Sequence, residues 1–130
     1  MRVVTTATIA VFSLVLGVGS ASAQAVASPV QQRMRQLMMA EEQHYSDHGT
    51  YTTDLAALGL MSKVDRQSPQ VWLRVFHAGG GGWIADAQGS NGMSGSCVAF
   101  VGTLGDFPSV PSTQGQHLKP TDQGVIVCDP

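Results

Sequence analysis

His44 and His48 stand four residues apart with Asp47 between them. On a helix that spacing presents two imidazoles on one face, where a transition metal could bind them. Further ligands would have to come from His77 or His117. Helix-end histidines that satisfy backbone carbonyls are the plainer reading, so no metal site is expected. Gly79-Gly80-Gly81-Gly82 would let backbone approach a phosphate, but a nucleotide loop leads from a strand into a helix and usually carries Lys. This run precedes a strand and reads as a hairpin turn. Gly92-Met93-Ser94-Gly95-Ser96 comes near the nucleophile-elbow pattern, yet Ser96 stands where the last glycine belongs and no helix follows. Glu41 and Glu42 are adjacent on one helix and face different ways, so they do not make an acid/base pair. Neither an enzyme nor a cofactor is expected from these residues.

The elements that hold these residues are well marked. Ser28-Pro29-Val30-Gln31 supplies an N-cap hydroxyl, a proline at the first helical position and a Gln three residues after the cap. Steps of about 100° place Val30, Met34, Leu37, Met38 and Tyr45 on one apolar arc. Gly49 follows His48 where a left-handed C-cap belongs, which predicts a helix over 29–48. Glu41 projects onto the middle of the apolar arc. It is expected to pair with a cation such as Arg74, or to accept backbone donors at the sheet edge, because a buried carboxylate without partners is costly.

A short helix is expected at 54–58, capped by Thr53 or Asp54 and ended by Gly59, with Leu55, Leu58 and Leu60 tying the link to the core. Residues 63–69 read as a polar connection. Val71 to His77 alternates with period two: Val71, Leu73 and Val75 take one face, Trp72, Arg74 and Phe76 the other. Ala78 to Gly82 should form a turn longer than the tight two-residue kind, before a returning strand at 83–88. Further strands are expected at 97–102 and 124–128, separated by an irregular stretch from Thr103 to Gln123 that holds Pro108, Pro111 and Pro120. One sheet face is covered by the helix. The other, with Trp72, Arg74 and Phe76 as candidate interface residues, is covered either by the proline-containing loop or by a partner.

Compartment follows from the first residues and the cysteines. Arg2, the apolar run Val3 to Val18 and Ala21-Ser22-Ala23 make a cleavable export signal over 1–23, the run being short for a membrane span. The competing reading is an uncleaved N-terminal anchor. Cleavage leaves residues 24–130 as one domain, with six Lys and Arg against nine Asp and Glu. That balance argues against nucleic acid, or a membrane after cleavage, as partner. Cys97 and Cys128, an even pair in a chain bound for an oxidising space, are expected to form a disulfide. The periplasm or the extracellular medium is the expected location.

The run from Met34 through Ala40-Glu41-Glu42-Gln43-His44-Tyr45-Ser46-Asp47-His48-Gly49-Thr50-Tyr51 to Leu55 resembles the lower part of the long helix and the following turn in type IV pilin-like and pseudopilin-like proteins. Gly82-Trp83-Ile84-Ala85 resembles their central strand, and Cys97 with Cys128 resembles their C-terminal cysteine pair. Residues 1–27 differ, having no acidic residue near the start of an assembly helix. The resemblance therefore implies a globular pilin head freed from that helix. The expected architecture is α+β: an N-terminal amphipathic helix on a four-stranded, mainly antiparallel sheet with one disulfide. The expected function is a non-catalytic, exported binding or surface-interaction module, with a protein or a filament component as partner. The alternative is a structural subunit of a type IV pilus or type II secretion-like filament that retains its N-terminal segment.

Overall fold

Among the described residues one α-helix, α1 (Pro29–His48), lies across a four-stranded antiparallel sheet of β1 (Val71–Gly79), β2 (Gly82–Gly89), β3 (Ser96–Val101) and β4 (Val127–Asp129), in the order β1-β2-β3-β4. The computed structural model describes residues 27–61 and 70–130. The expected export signal at 1–23 and polar connection at 63–69 lie outside those residues.

The helix begins and ends as its flanking residues predict. Ser28 Oγ accepts the Gln31 N–H at 3.2 Å, and Pro29 occupies the first turn, where its missing donor is no loss. Gly49, at φ +73°, donates its N–H to the Tyr45 carbonyl at 2.7 Å and closes the helix in the left-handed conformation. Val30, Met34, Leu37 and Glu41 form the buried stripe. It packs on Val75, Trp83, Ala85, Ala87, Cys97 and Ala99 to make the main core. Small side chains at 85, 87 and 99 let the helix approach the sheet closely.

The link after the helix differs from expectation. Residues 55–59 form a hydrogen-bonded turn, not a helix. Its bonds run from Leu58 N to Asp54 O, from Gly59 N to Ala56 O and from Leu60 N to Leu55 O, a mixed pattern that no regular helix continues. Gly59, at φ +69°, ends it after one turn. Leu55 is buried, and Leu58 and Leu60 pack against the main core, as their anchoring role requires.

The β1–β2 hairpin is tighter than expected. β1 continues through Ala78 and Gly79, which pair with Trp83 and Gly82, leaving only Gly80 and Gly81 in the turn. Gly82 is needed there: at φ +154°, a Cβ would collide with the Val101 carbonyl oxygen. Between Val75 and His77 the register shifts, so Phe76 is the extra residue of a β-bulge. The bulge interrupts the alternation and leaves both Phe76 and His77 beside the outer-face aromatic residues.

β4 begins at Val127, not at 124. Gly124, at φ +74°, belongs to a turn that donates to the Phe100 carbonyl at 2.8 Å, so the chain is still changing direction there. Cys97 and Cys128 are register partners on β3 and β4 and are joined by a disulfide. The intervening stretch is irregular apart from a short 3₁₀ turn at Leu104–Asp106. It covers the β3 side of the outer face, where Ile84, Phe100 and Phe107 form a second apolar cluster with Phe76 and Leu104 against them.

Candidate functional site

Strand β1 presents Trp72 and Arg74 on the sheet face away from α1, directly across from Gln88 and Asp86 on β2. Period-two alternation sets this arrangement: Trp83, Ala85 and Ala87 face the helix, so Asp86 and Gln88 face out. Arg74 Nε and Nη2 donate to the two Asp86 carboxylate oxygens at 3.4 and 3.1 Å. Gln88 Nε2 also donates to Asp86, at 3.0 Å. The Asp86 side chain is only 6 % exposed while that of Arg74 is 61 % exposed, so a buried anion clamps a surface cation. The guanidinium carbon lies 4.2 Å from the Phe76 ring centroid, in cation–π contact.

Trp72 is 56 % exposed. With Leu73, Arg74, Asp86 and Gln88 it lines an open cleft of about 280 Å³. The outer face is thus divided. Phe76, half-buried, belongs with the cluster beneath Phe107 and Leu104, whereas Trp72 stays open to solvent. Asp86 and Gln88 are the residues of this cleft that sequence reasoning misses. A signal for them exists, since the helix-facing alternation of Trp83, Ala85 and Ala87 places them outward opposite Arg74.

Glu41 does not meet Arg74, whose partner is Asp86. Glu41 is fully buried, and its Oε2 accepts the Thr52 N–H at 3.0 Å, so its donor comes from the segment after the helix. Among the described residues, Glu41 Oε1 and Trp83 Nε1 are buried polar atoms with no hydrogen-bond partner. Burial pushes the Glu41 carboxyl above its ordinary value, against the opposing effects of the Thr52 bond and nearby His44. Tyr51 N donates to the Gly79 carbonyl at 3.1 Å, which carries the same segment to the end of β1. The Tyr51 phenol is pushed up to about 12 by burial and then by its bond to Glu42.

The remaining sequence candidates fall into structural places. The rings of His44 and His48 stack at 4.2 Å and 18°, too nearly parallel to converge on one ion in these rotamers. Each Nδ1 lies against a carbonyl, that of Thr50 at 2.8 Å and that of His44 at 3.1 Å respectively. Among the described residues, no group of three or more His, Cys, Asp and Glu side chains could hold a metal ion. His77 is on β1 in a T-shaped ring contact with Phe107, and His117 lies in the loop near Gly115. The four glycines close the hairpin. Ser94 sits in a non-helical segment entering β3, not at a strand-to-helix elbow.

Ser96 has a different role that its sequence context conceals. Its hydroxyl donates to Asp129 Oδ1, its register partner on β4, and accepts the Gln114 N–H at 2.6 Å. Gly115 N donates to Asp129 Oδ2 at 3.1 Å. Desolvation opposes the Asp129 carboxylate, but the donors from Ser96, Thr113 and Gly115 outweigh it and hold its pKa below the ordinary value. This group locks the long loop onto the disulfide-linked strands. No protein-family model matches the chain, and no curated protein matches its sequence.

Proposed function

We propose that this protein is an exported, non-catalytic binding module with a pilin-like head, and that the outer face of β1 at Trp72 and Arg74 is its contact surface. The observation that carries this reading is the open Trp72 ring beside an arginine held in place by a buried aspartate. A large aromatic side chain left open next to a fixed guanidinium matches the composition of binding surfaces better than that of an ordinary solvent face. Arg74 and Asp86 form the clamp without a ligand, so the surface is preorganised. Phe76 supports the clamp from below through its ring. The Cys97–Cys128 disulfide suits an oxidising compartment, in keeping with export. The order of capped helix, Gly-Thr-Tyr turn, central strand and cysteine pair supports the pilin-like assignment.

A filament subunit is the second reading, and one surface favours it. Met39 is 66 % exposed on α1 and, with Met38, Glu42, Gln43 and Ser46, borders an open groove of about 500 Å³ that a neighbouring helix would cover. No helix among the described residues is long and apolar enough to cross a membrane.

Two experiments separate these readings. Intact mass of the protein recovered from its native compartment should place the first residue at Gln24; retention of Met1 in a membrane fraction would favour the filament subunit. Capture of binding material from the same compartment should then be lost with Trp72→Ala while the fold is unchanged. Capture that is indifferent to this substitution would remove the β1 face as the contact surface.

A further inference from the structure

Resting on the reading of the β1 face as a contact surface, we infer that the Trp72–Arg74–Asp86–Gln88 cleft binds a neutral saccharide, one sugar ring stacked on Trp72 with its hydroxyls toward the Arg74 and Gln88 side chains.

Charge excludes the usual ligands of an exposed arginine. Asp86 holds Arg74 through two hydrogen bonds, so the pair presents no net charge to draw an anion. The same pairing consumes the carboxylate, which is nearly buried and offers little to a cation. Apolar area is the second constraint. A standard protein interface buries about 800 Å² on each partner around an aromatic core. Among the described residues, Trp72 is the one large aromatic side chain open at this cleft, because Phe76 is drawn into the cluster under Phe107. The cleft, at about 280 Å³, lies just below the ~300–1,000 Å³ range of small-molecule sites.

What the cleft offers is one flat apolar face with a polar rim. Trp72 and Gln88 are cross-strand partners, and Arg74 and Asp86 occupy the next outward rung, so stacking ring and hydrogen-bonding groups lie side by side. A guanidinium has five N–H donors. Asp86 engages two Arg74 nitrogens, leaving other guanidinium hydrogens available among the described residues. Gln88 gives Nε2 to Asp86 and retains its amide oxygen as an acceptor. Adjacent sugar hydroxyls are both donors and acceptors, which suits this mixed rim, while the C–H face of the ring is the apolar partner that an indole face accepts. An extended peptide satisfies the polar rim less well because it lacks neighbouring hydroxyls.

The test titrates cellobiose, maltose, lactose and N,N′-diacetylchitobiose into the disulfide-intact protein, read by Trp72 indole NMR shifts and by calorimetry. At least one sugar should bind in the submillimolar to low-millimolar range with shifts centred on Trp72 and Gln88. Trp72→Ala should weaken it by about tenfold or more, Trp72→Phe by less, as expected for graded loss of a central aromatic contact. Val125→Ala, at an exposed residue away from the cleft, should bind as the parent does. Glucuronate and glucosamine should bind no more tightly than glucose. The inference is overturned if none of the four sugars binds at tens of millimolar, if binding survives Trp72→Ala, or if a charged sugar binds tenfold more tightly than glucose. Loss of sugar binding together with retained, Trp72-dependent capture of a protein would overturn the saccharide and leave the β1 contact surface standing.

Discussion

Replacing Glu41 by Gln and, separately, by Leu divides the cost of a buried carboxylate from the value of its one hydrogen bond. The amide of Glu41→Gln would be neutral at every pH and would keep an oxygen for the Thr52 N–H, which Glu41 accepts at 3.0 Å. Because burial raises the folded-state pKa of Glu41, the unfolded chain ionises first as pH rises. The parent should match Glu41→Gln most closely below the ordinary Glu value of about 4.3, then lose stability relative to it as pH climbs through the raised folded-state value, then level off. Each unit between the two values corresponds to about 1.36 kcal/mol, so the height of the plateau reads the shift directly. Glu41→Leu removes the acceptor of the part-buried Thr52 N–H, a loss of about 1–2 kcal/mol, but it also removes the unpartnered polar atom that Glu41→Gln keeps at the Oε1 position, an opposing gain of similar size. The Thr52 bond is therefore read from amide exchange of the Thr52 N–H, which should speed up in Glu41→Leu and not in Glu41→Gln. Urea unfolding from pH 4 to pH 8, repeated in a His44→Gln background to remove the neighbouring imidazole, supplies the measurement. A parent curve parallel to that of Glu41→Gln throughout would refute the burial argument, and equal exchange of the Thr52 amide in the Gln and Leu variants would refute the role of the Thr52 bond.

Other perturbations test separate parts of the fold. Reduction, or the paired change Cys97→Ser with Cys128→Ser, should destabilise by roughly 3.5–4 kcal/mol for a closure spanning 31 residues, measured by urea unfolding. Gly82→Ala should cost about 3 kcal/mol or more, since its Cβ would meet the Val101 carbonyl, whereas Gly80→Ala, with open space around it, should stay within about 0.5 kcal/mol. Thermal unfolding of the two variants side by side decides this. Asp129, whose pKa is lowered in the fold, contributes stability that is present above the ordinary Asp value of about 3.9 and lost as pH falls through its folded-state value. Asp129→Asn should therefore flatten the acid limb of the stability curve. Trp72→Ala should leave unfolding within about 0.5 kcal/mol of the parent, because the ring is more than half exposed.

Local signals are sufficient where one residue type has one physical use. Ser28, Pro29 and Gly49 bound α1 because cap hydroxyl, fixed φ and left-handed φ are each specific to a helix end. Glu41 is conspicuous by position, and it does lie in the buried stripe, but its partner depends on where the chain returns after Gly49. The four glycines are ambiguous for a related reason. Glycine both pairs and turns, and only the closeness of Val101 shows why Gly82 continues the strand. The turn at Gly124 delays β4 to Val127 through a bond to Phe100, a contact between distant parts of the chain. The candidate surface is half legible: alternation places Trp72 and Arg74 outward, while the bulge at Phe76 and the cover supplied by Phe107 decide which aromatic side chain stays open.

The most direct test of the β1 face as contact surface uses a photo-reactive amino acid placed at the exposed Gln70, two residues before Trp72, in the full chain and in the cells that produce it. The control places the same group at Lys119, which is exposed on the covering loop. A contact surface at β1 predicts a discrete adduct from position 70 and none from position 119. No adduct at 70, or the same adducts from both positions, would contradict it.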